Sequence, residues 1–299
     1  MDSDRSTAAT LKVLSRGAAV RWASGLLARA GLAVPRVEAE TLLAEVIGGP
    51  RHAAYIEPET PLTDAEQARF LAVVRRRARR EPLQYVIGRE TFCGLELVVT
   101  PDVLIPRPET EGAVAAVLGA IAALDRPVVA DLGTGSGCLA LAIASARPDA
   151  VVYGVDRSGA ALQVARQNAE RLGLAPRVRW LHGDLLTPLA QQAIRADVMV
   201  SNPPYVADAE YETLQPEVRF EPDTALRGGS DGLWFYRRII AEVSPVLSPH
   251  GRVVLELGFG QANAVRAIAE RHGFRVERVD ADFNGIARIM TLAGGNPWT

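Results

Sequence analysis

The hydrophobic positions in the first eighty residues recur at the three- and four-residue steps of amphipathic helices. A first predicted helix has one apolar face made of Leu11, Leu14, Ala18, Trp22 and Leu26. A second begins near Pro35 and stops at Gly48, because proline suits the first helical turn and glycine the residue after the last. A third begins at the capping-box pair Thr63 and Glu66 and ends in the arginine run 75–80. Residues 1–82 therefore predict a small helical domain.

After residue 82 the hydrophobic period changes. Alternating apolar residues predict a short strand or hairpin within 91–100, so we interpret residues 83–104 as a hinge and hairpin linker. From residue 105 to residue 299, helical patterns separate most of the predicted strands, which are 128–132, 151–155, 178–181, 198–201, 253–257, 274–279 and 287–292. This alternation predicts an α/β fold with a seven-stranded, mostly parallel sheet. The pair Asn284-Gly285 between the last two strands indicates a terminal antiparallel hairpin.

The composition of the chain argues against several classes of protein. The chain of 299 residues has a net charge of −2, which argues against a dedicated nucleic-acid-binding protein. It has no apolar run near the roughly 20 residues that span a membrane, and its first residues lack the apolar core of a secretory signal. Cys93, Cys138 and four scattered histidines are too few for a disulfide framework or a metal site. We therefore expect a cytoplasmic protein without a metal, a membrane or a stable nucleic-acid partner.

The arginine run 75–80 allows two interpretations. Cations near the end of a helix complement its dipole and commonly face water. The same cations could instead dock an acidic or phosphate-bearing partner. The sequence leaves both open.

A glycine-rich turn, residues 133–137, follows the predicted strand 128–132. Glycines there let the backbone turn sharply and approach a ligand closely. Asp156 and Asp184 follow the next two strands, where a carboxylate can accept the hydrogens of ribose hydroxyls, although each can also be a turn or N-cap residue. The turn has neither the G-x-G-x-x-G spacing nor the ending of a P-loop. A nucleoside without phosphates therefore suits it better than a pyrophosphate.

The predicted strand 198–201 runs directly into Asn202-Pro203-Pro204-Tyr205. Two consecutive prolines lack backbone N–H donors, so the strand must end there and leave Asn202 and Tyr205 at the carboxyl edge of the sheet. Spacing alone fits a strand terminator as well as a functional site. Residues 206–231 have no clear periodicity, and we expect them to be a lid that orders over the substrate.

Taken in order, these motifs resemble those of class I S-adenosylmethionine-dependent methyltransferases, which have a Rossmann-like fold. The Asn-Pro-Pro-Tyr form resembles the branch that methylates amide or exocyclic amino groups. Three further segments, residues 82–88, 104–111 and 221–226, are similar to the release factor glutamine methyltransferases, the HemK or PrmC family. The likeness covers essentially the whole chain. It implies N5-methylation of the glutamine in the GGQ motif of class I peptide chain release factors, with S-adenosyl-L-methionine as methyl donor and residues 1–82 as a substrate-recognition domain.

The resemblance also implies roles for individual residues. The cofactor would be held by Gly133, Thr134, Gly135, Ser136, Gly137, Asp156, Asp184, Leu185 and Asn202. Some relatives have an aromatic residue at the position of Leu185. The acceptor glutamine would be held by Asn202, Pro203, Pro204 and Tyr205, with Arg107 and Phe92 as further substrate contacts. Among these, the catalytic residues would be Asn202, Pro203 and Tyr205.

Two alternative functions remain open. An adenine-N6 or cytosine-N4 nucleic-acid methyltransferase would use the same four residues, but the net charge and the lack of a separate target-recognition domain argue against it. A non-catalytic nucleotide-binding or adaptor module is disfavoured by the intact motif at residues 202–205.

Overall fold

The computed structural model describes residues 13–294. They form two compact units that divide between Gly88 and Arg89. The predicted linker 83–104 is divided as well, since its helix belongs to the first unit and its β-hairpin to the second. Leu11 of the first predicted helix lies outside the described residues. No helix within residues 13–294 is long and apolar enough to cross a membrane.

The first unit is helical, as the apolar periodicity predicts. Its helices are α1 Arg16–Arg29, α2 Pro35–Ile47, α3 Ala53–Ile56, α4 Asp64–Ala78 and α5 Leu83–Ile87. The predicted capping box is confirmed, because the Glu66 N–H donates to Thr63 Oγ1 at 3.2 Å and the Thr63 N–H donates to Glu66 Oε2 at 2.8 Å. Gly48 ends α2 with a φ of 63°, a left-handed conformation that suits glycine.

The arginine run at the end of α4 makes contacts inside this unit. Arg77 is only 5% exposed, and its guanidinium donates to both oxygens of the Glu38 carboxylate, at 2.5 and 3.2 Å. Arg76 pairs with Glu81 at 2.5 Å, and Arg80 donates to backbone carbonyls in the turn after α1. These arginines therefore hold the helices of the unit together, a role that neither interpretation of the sequence anticipated.

The second unit contains a hairpin and a seven-stranded sheet. The strands are β1 Arg89–Phe92, β2 Leu95–Val98, β3 Val128–Leu132, β4 Val151–Asp156, β5 Val178–His182, β6 Ala196–Ser201, β7 Leu247–Glu256, β8 Phe274–Ala281 and β9 Ala287–Gly294. The sheet order is β5-β4-β3-β6-β7-β9-β8, and β9 is antiparallel to both of its neighbours while the other pairs are parallel. The predicted fold class, with its terminal hairpin, is confirmed.

Helices cover both faces of this sheet. They are α6 Glu111–Ala120, α7 Cys138–Ala146, α8 Gly159–Arg171, α9 Thr187–Gln191, α10 Asp208–Tyr211, α11 Asp223–Leu226, α12 Trp234–Glu242 and α13 Ala262–Arg271. Helices α6 and α7 pack on one face and α12 and α13 on the other. Successive residues of β3 enter opposite cores, Val129 with the first pair and Ala130 with the second, as the strand period of two requires.

The order of the strands fixes where a ligand can bind. From β3 the chain moves outward through β4 and β5, and then returns to β6 on the other side of β3. In open α/β sheets the crevice at such a switch point, outside the carboxyl ends of the strands, is the usual ligand site. Residues 206–231 follow β6 and are folded into short helices and turns, tied by a bridge between Val206 and Arg227.

Candidate active site

The Asn-Pro-Pro-Tyr motif begins where β6 ends. Ser201 Oγ donates to the carbonyl oxygen of Leu132, the last residue of β3, at 2.8 Å, so the two strand ends are tied side by side. The chain then leaves the sheet, because Pro203 and Pro204 have no backbone N–H to donate to a neighbouring strand. Within residues 13–294, no donor reaches the carbonyl oxygen of Pro203. The motif therefore presents a main-chain acceptor at the carboxyl edge.

The Asn202 side chain is held by a hydrogen bond from the NH₂ group of its amide. Its Nδ2 donates to Thr110 Oγ1 at 3.2 Å, and Thr110 is buried with 2% exposure. No donor from the described part of the chain reaches Asn202 Oδ1. The side chain lines the cleft that is described below, so its oxygen is a second acceptor beside the Pro203 carbonyl.

Tyr205 is fixed from behind by the segment after β7. Its carbonyl oxygen accepts from Gln261 Nε2 at 3.0 Å. A methyl group on Gly258 would lie only 3.0 Å from Tyr205 Cδ2, so this close approach favours glycine at position 258. Burial raises the pKa of the Tyr205 phenol to about 12, and the ring therefore stays neutral.

The glycine-rich turn is shaped by its backbone and by one carboxylate. Gly133, Gly135 and Gly137 have φ values of 72°, 55° and 82°, which non-glycine residues rarely adopt. Asp156 Oδ2 accepts the Gly135 N–H at 2.9 Å, and its Oδ1 accepts the Ser158 N–H at 2.8 Å. Asp156 thus joins the turn after β3 to the start of α8.

A cleft of about 760 Å³, open to solvent, lies at this edge of the sheet. Eight of the predicted site residues line it: Gly133, Gly135, Asp156, Asp184, Leu185, Asn202, Pro203 and Pro204. Its remaining wall includes the apolar side chains of Leu104, Val155 and Phe235. Carboxylates that can accept from ribose hydroxyls, beside an apolar wall for a base, fit a nucleoside ligand.

Three predicted cofactor residues lie behind the cleft. Thr134 and Ser136 are buried, and Thr134 Oγ1 donates to the carboxylate of Asp131 at 2.6 Å. A methyl group on Gly137 would lie 2.9 Å from the ring of Trp180. These residues do not line the cleft, and they shape the turn from the core side. Burial also raises the pKa of the Asp131 carboxyl to about 7.

Asp184 and Leu185 stand after β5. Asp184 Oδ2 accepts from Arg238 Nη1 at 2.7 Å, which orients the carboxylate. Leu185 has a φ of 45° and is 8% exposed, with its side chain in the core. At this position the chain therefore offers the cleft an aliphatic side chain and no aromatic ring.

The two further predicted substrate contacts do not line the cleft. Phe92 is 1% exposed and packs in the core under α6 and α7, so its side chain is not on the wall of the cleft. Arg107 pairs with Glu221, whose other oxygen accepts the Ile105 N–H at 3.0 Å. The pair joins the extended segment before α6 to residues 206–231.

Comparison with known proteins finds relatives along most of the chain. The model of the PrmC N-terminal domain matches residues 18–88, and that of the methyltransferase small domain matches residues 112–221. A release factor glutamine methyltransferase of Geobacter sulfurreducens is 46% identical over 90% of this chain and 93% of its own. Proteins of the same name from Moorella thermoacetica and Burkholderia pseudomallei are 44% and 43% identical, over 88% and 87% of this chain and 93% and 91% of their own lengths.

The chain belongs to the release factor glutamine methyltransferase family. Among solved structures, the hMettl16 catalytic domain in complex with an RNA hairpin is similar, with a TM-score of 0.54 and 18% identity over 80% of this chain and 84% of that one. At this identity the likeness shows only the shared fold. Membership of a methyltransferase family implies a methyl-donor cofactor. Within residues 13–294, no three His, Cys, Asp or Glu side chains are grouped to hold a metal ion.

Sequence reasoning did not find two residues beside the motif of this methyltransferase. Thr110 bonds to Asn202 across 92 positions of the chain, and no local pattern indicates that contact. Glu256 is 2% exposed at the end of β7, and burial raises the pKa of its carboxyl to about 7. A usable signal existed for Glu256, because an acidic residue ending an apolar strand lies at the ligand edge of the sheet.

Proposed function

We propose that the chain transfers the methyl group of S-adenosyl-L-methionine to the N5 amide nitrogen of the glutamine in the GGQ motif of class I peptide chain release factors. The observation that carries this proposal is the pair of acceptors after β6, Asn202 Oδ1 and the Pro203 carbonyl, in two residues that line the cleft. A primary amide has two N–H donors, which these two oxygens match. The names of the relatives supply the identity of the acceptor protein.

The chemistry explains why two acceptors are needed. An amide nitrogen is a poor nucleophile because its lone pair is delocalised into the carbonyl group. The bound cofactor supplies a strongly electrophilic methyl group, so the protein must mainly orient the nitrogen and stabilise its developing positive charge. Asn202 Oδ1 and the Pro203 carbonyl each accept one N–H, which holds the nitrogen toward the methyl group. The surplus proton can leave to water after transfer, and a strong base is not required.

Tyr205 completes the acceptor side. Its flat ring matches the plane of an amide better than an aliphatic side chain would. The hydrogen bond from Gln261 and the contact with Gly258 hold the residue in place, and the raised pKa keeps the phenol uncharged. A neutral ring stabilises charge on the amide nitrogen without competing for its protons.

On the cofactor side, Asp156 would accept the ribose hydroxyls. Asp184 and Leu185 would contact the adenine, and the glycine turn would lie along the methionine and ribose. The Asp156 carboxylate already accepts two backbone N–H groups, yet each of its oxygens keeps a lone pair that can accept from a ribose hydroxyl. Thr134, Ser136 and Gly137 would then contribute to cofactor binding indirectly, because they shape the glycine turn from the core side.

The rest of the chain would serve the protein substrate. Residues 1–82 would recognise the release factor, and residues 206–231 would close over the glutamine, with the Arg107–Glu221 pair as their anchor. A substrate that takes part in translation places the reaction in the cytoplasm.

The test is a methyl-transfer assay with labelled S-adenosylmethionine and a purified release factor, followed by mass spectrometry of the modified residue. Asn202→Ala is expected to lower kcat by about 10²–10³-fold, the effect of removing one positioned polar group from a site. Asn263→Ala, an exposed position on α13, is the matched control and should keep full activity. Near-native turnover of Asn202→Ala would refute the site, and preferred labelling of DNA or RNA would refute the acceptor.

A further inference from the structure

Within residues 89–294, four aromatic side chains are exposed, and all of them lie at the edge of the sheet that carries the site. Two stand between the end of β6 and the first turn of α12, one follows β7, and one lies between β8 and β9: Phe220, Trp234, Phe259 and Phe283. Phe259 is 77% exposed and Phe283 is fully exposed. Single apolar residues are common on protein surfaces, but exposed aromatic residues gathered at one edge indicate a surface that binds a partner.

Phe259 lies in the turn that holds Tyr205. Gln261 of this turn donates from Nε2 to the Tyr205 carbonyl oxygen at 3.0 Å, and a methyl group on Gly258 would lie 3.0 Å from the Tyr205 ring. The Gly258 N–H also donates to Gln261 Oε1 at 3.1 Å, so the turn is closed on itself. A glycine precedes and a glycine follows Phe259 in the chain, so no neighbouring side chain in sequence covers its ring. The structure therefore presents this ring to solvent on a fixed turn beside the motif.

Phe283 is presented by the turn between β8 and β9. Asp282 Oδ1 accepts two N–H groups of that turn, at 2.8 and 3.0 Å, which fixes its shape. Asp282 Oδ2 accepts from Arg288 Nε at 3.2 Å, and the Arg288 carbonyl oxygen accepts the Leu257 N–H at 2.7 Å. The turn is therefore tied to the end of β7, directly before the turn that carries Phe259.

The two phenylalanines lie on the acceptor side of this edge. In the order of the sheet, the glycine turn and the two aspartates follow β3, β4 and β5, the motif follows β6, and Phe259 and Phe283 lie on β7 and the β8–β9 hairpin. Neither of them lines the cleft. A glutamine held by Asn202 and Tyr205 keeps the backbone that carries it within the length of one side chain. The neighbouring residues of the acceptor protein can then pack on the two rings.

The charges of the hairpin favour a protein over a nucleic acid as the partner. Arg288 pairs with Asp282, and Arg278 pairs with Asp280. Proteins that stack bases on aromatic rings add a positively charged groove for the phosphates. In this hairpin each of the two arginines is neutralised by an acid, and an aromatic ring stands at the tip. Buried aromatic side chains are the common anchors of protein–protein interfaces.

We propose that Phe259 and Phe283 form a docking surface for the acceptor protein, which packs an apolar patch beside its glutamine against the two rings. This inference rests on the proposed function, in which the acceptor is a class I release factor. It gives the methyltransferase unit a docking surface of its own. The surface serves the protein substrate alone, and binding of the methyl donor does not depend on it.

The experiment measures the steady-state methylation of a purified class I release factor by the full-length enzyme and its variants. Phe259→Ala and Phe283→Ala should each raise the KM for the release factor about tenfold at unchanged kcat, the effect of one phenylalanine side chain that is buried on binding. Phe259→Leu and Phe283→Leu keep an apolar side chain and should recover most of that loss. Leu124→Ala is the matched control, because this exposed leucine precedes β3 at the opposite edge of the sheet. Its KM should stay within about twofold of the wild type.

Two further measurements separate docking from a change of structure. Both rings are exposed, so the alanine variants should melt within about 2 °C of the wild type, and their Kd for S-adenosylmethionine should stay within about twofold. A KM near that of the wild type in either alanine variant, a loss of kcat in place of the rise in KM, or an equal rise in Leu124→Ala would overturn the proposal. A smaller particle mass of the alanine variants in sedimentation would also overturn it, since the surface would then join two copies of this chain.

The failure of this inference differs from the failure of the proposed function. If Asn202→Ala loses turnover and the phenylalanine variants behave as the wild type does, the docking surface is wrong and the site stands. If Asn202→Ala keeps near-native turnover, or the wild type does not methylate the release factor, the proposed function falls and this inference falls with it.

Discussion

Replacing Asp156 by asparagine tests the cofactor side of the site with little change in shape. The two carboxylate oxygens accept the backbone N–H groups of Gly135 and Ser158, at 2.9 and 2.8 Å. Asparagine has one oxygen and one NH₂ group, so in either orientation a donor faces one of these N–H groups. The proposed ribose contact also loses one of its two acceptors.

The expected magnitude follows from that single lost acceptor. A hydrogen bond to a charged group contributes about 1.5–3 kcal/mol, and each 1.4 kcal/mol corresponds to a factor of ten in affinity. The Kd for S-adenosylmethionine should therefore rise roughly 10- to 150-fold in Asp156→Asn. The KM for the release factor should change little, because Asp156 ends β4 and bonds to the glycine turn, whereas Asn202 follows β6.

Isothermal titration calorimetry measures the Kd directly, and two-substrate kinetics separates the two KM values. Asp149→Asn is the matched control, since this aspartate pairs with Arg147 on the surface and does not line the cleft. Its Kd should stay within about twofold of the wild type. A similarly small change in Asp156→Asn would refute the assignment of Asp156 to the ribose.

Two further predictions concern stability. In Gly154→Ala the new methyl group would lie 2.4 Å from the Trp180 ring, so urea unfolding should show that overpacking lowers the free energy of unfolding by about 1–3 kcal/mol. The control Gly119→Ala places its methyl group in open space on α6 and should be neutral or slightly stabilising. Equal effects of the two substitutions would contradict this prediction. Burial raises the pKa of Glu256 to about 7, so the folded state holds its proton more tightly than the unfolded state does, and stability falls as the pH rises from about 4.5 to about 7. Unfolding at pH 5 and pH 8 should show a larger fall for the wild type than for Glu256→Gln, by on the order of 2 kcal/mol, and parallel falls would rule out this titration.

Much of the fold was predictable because its signals are local. Helical and strand periods differ, and prolines and glycines mark where elements end, as Pro35 and Gly48 do for α2. The strand bounds were less certain where polar residues enter a strand. Strand β7 begins at Leu247, well before the predicted 253, because Ser248-Pro249-His250 interrupts its apolar pattern.

The site was predictable only where it lies on strand ends. Asp156 and Asn202 follow apolar strands, and parallel strands bring their carboxyl ends to one edge. Spacing alone could not show where the Phe92 side chain lies, since an aromatic residue in a segment near a site can equally pack in the core. Its side chain fills the space under α6 and α7, a long-range contact that no spacing reveals.

The segment before α6 explains why the remaining site residues could not be found locally. Its donors end on a buried carboxylate from a distant part of the chain, because the Ile105 N–H and Arg107 both bond to Glu221. A buried carboxylate is costly unless donors satisfy it, and removing one donor costs more than never having buried the pair. The segment therefore keeps its place, with Thr110 bonded to Asn202, because Glu221 would otherwise lie unsatisfied in the core. The same contacts that complete the fold thus set the geometry of the acceptor site, and substitutions at Arg107 or Thr110 should affect stability and turnover together.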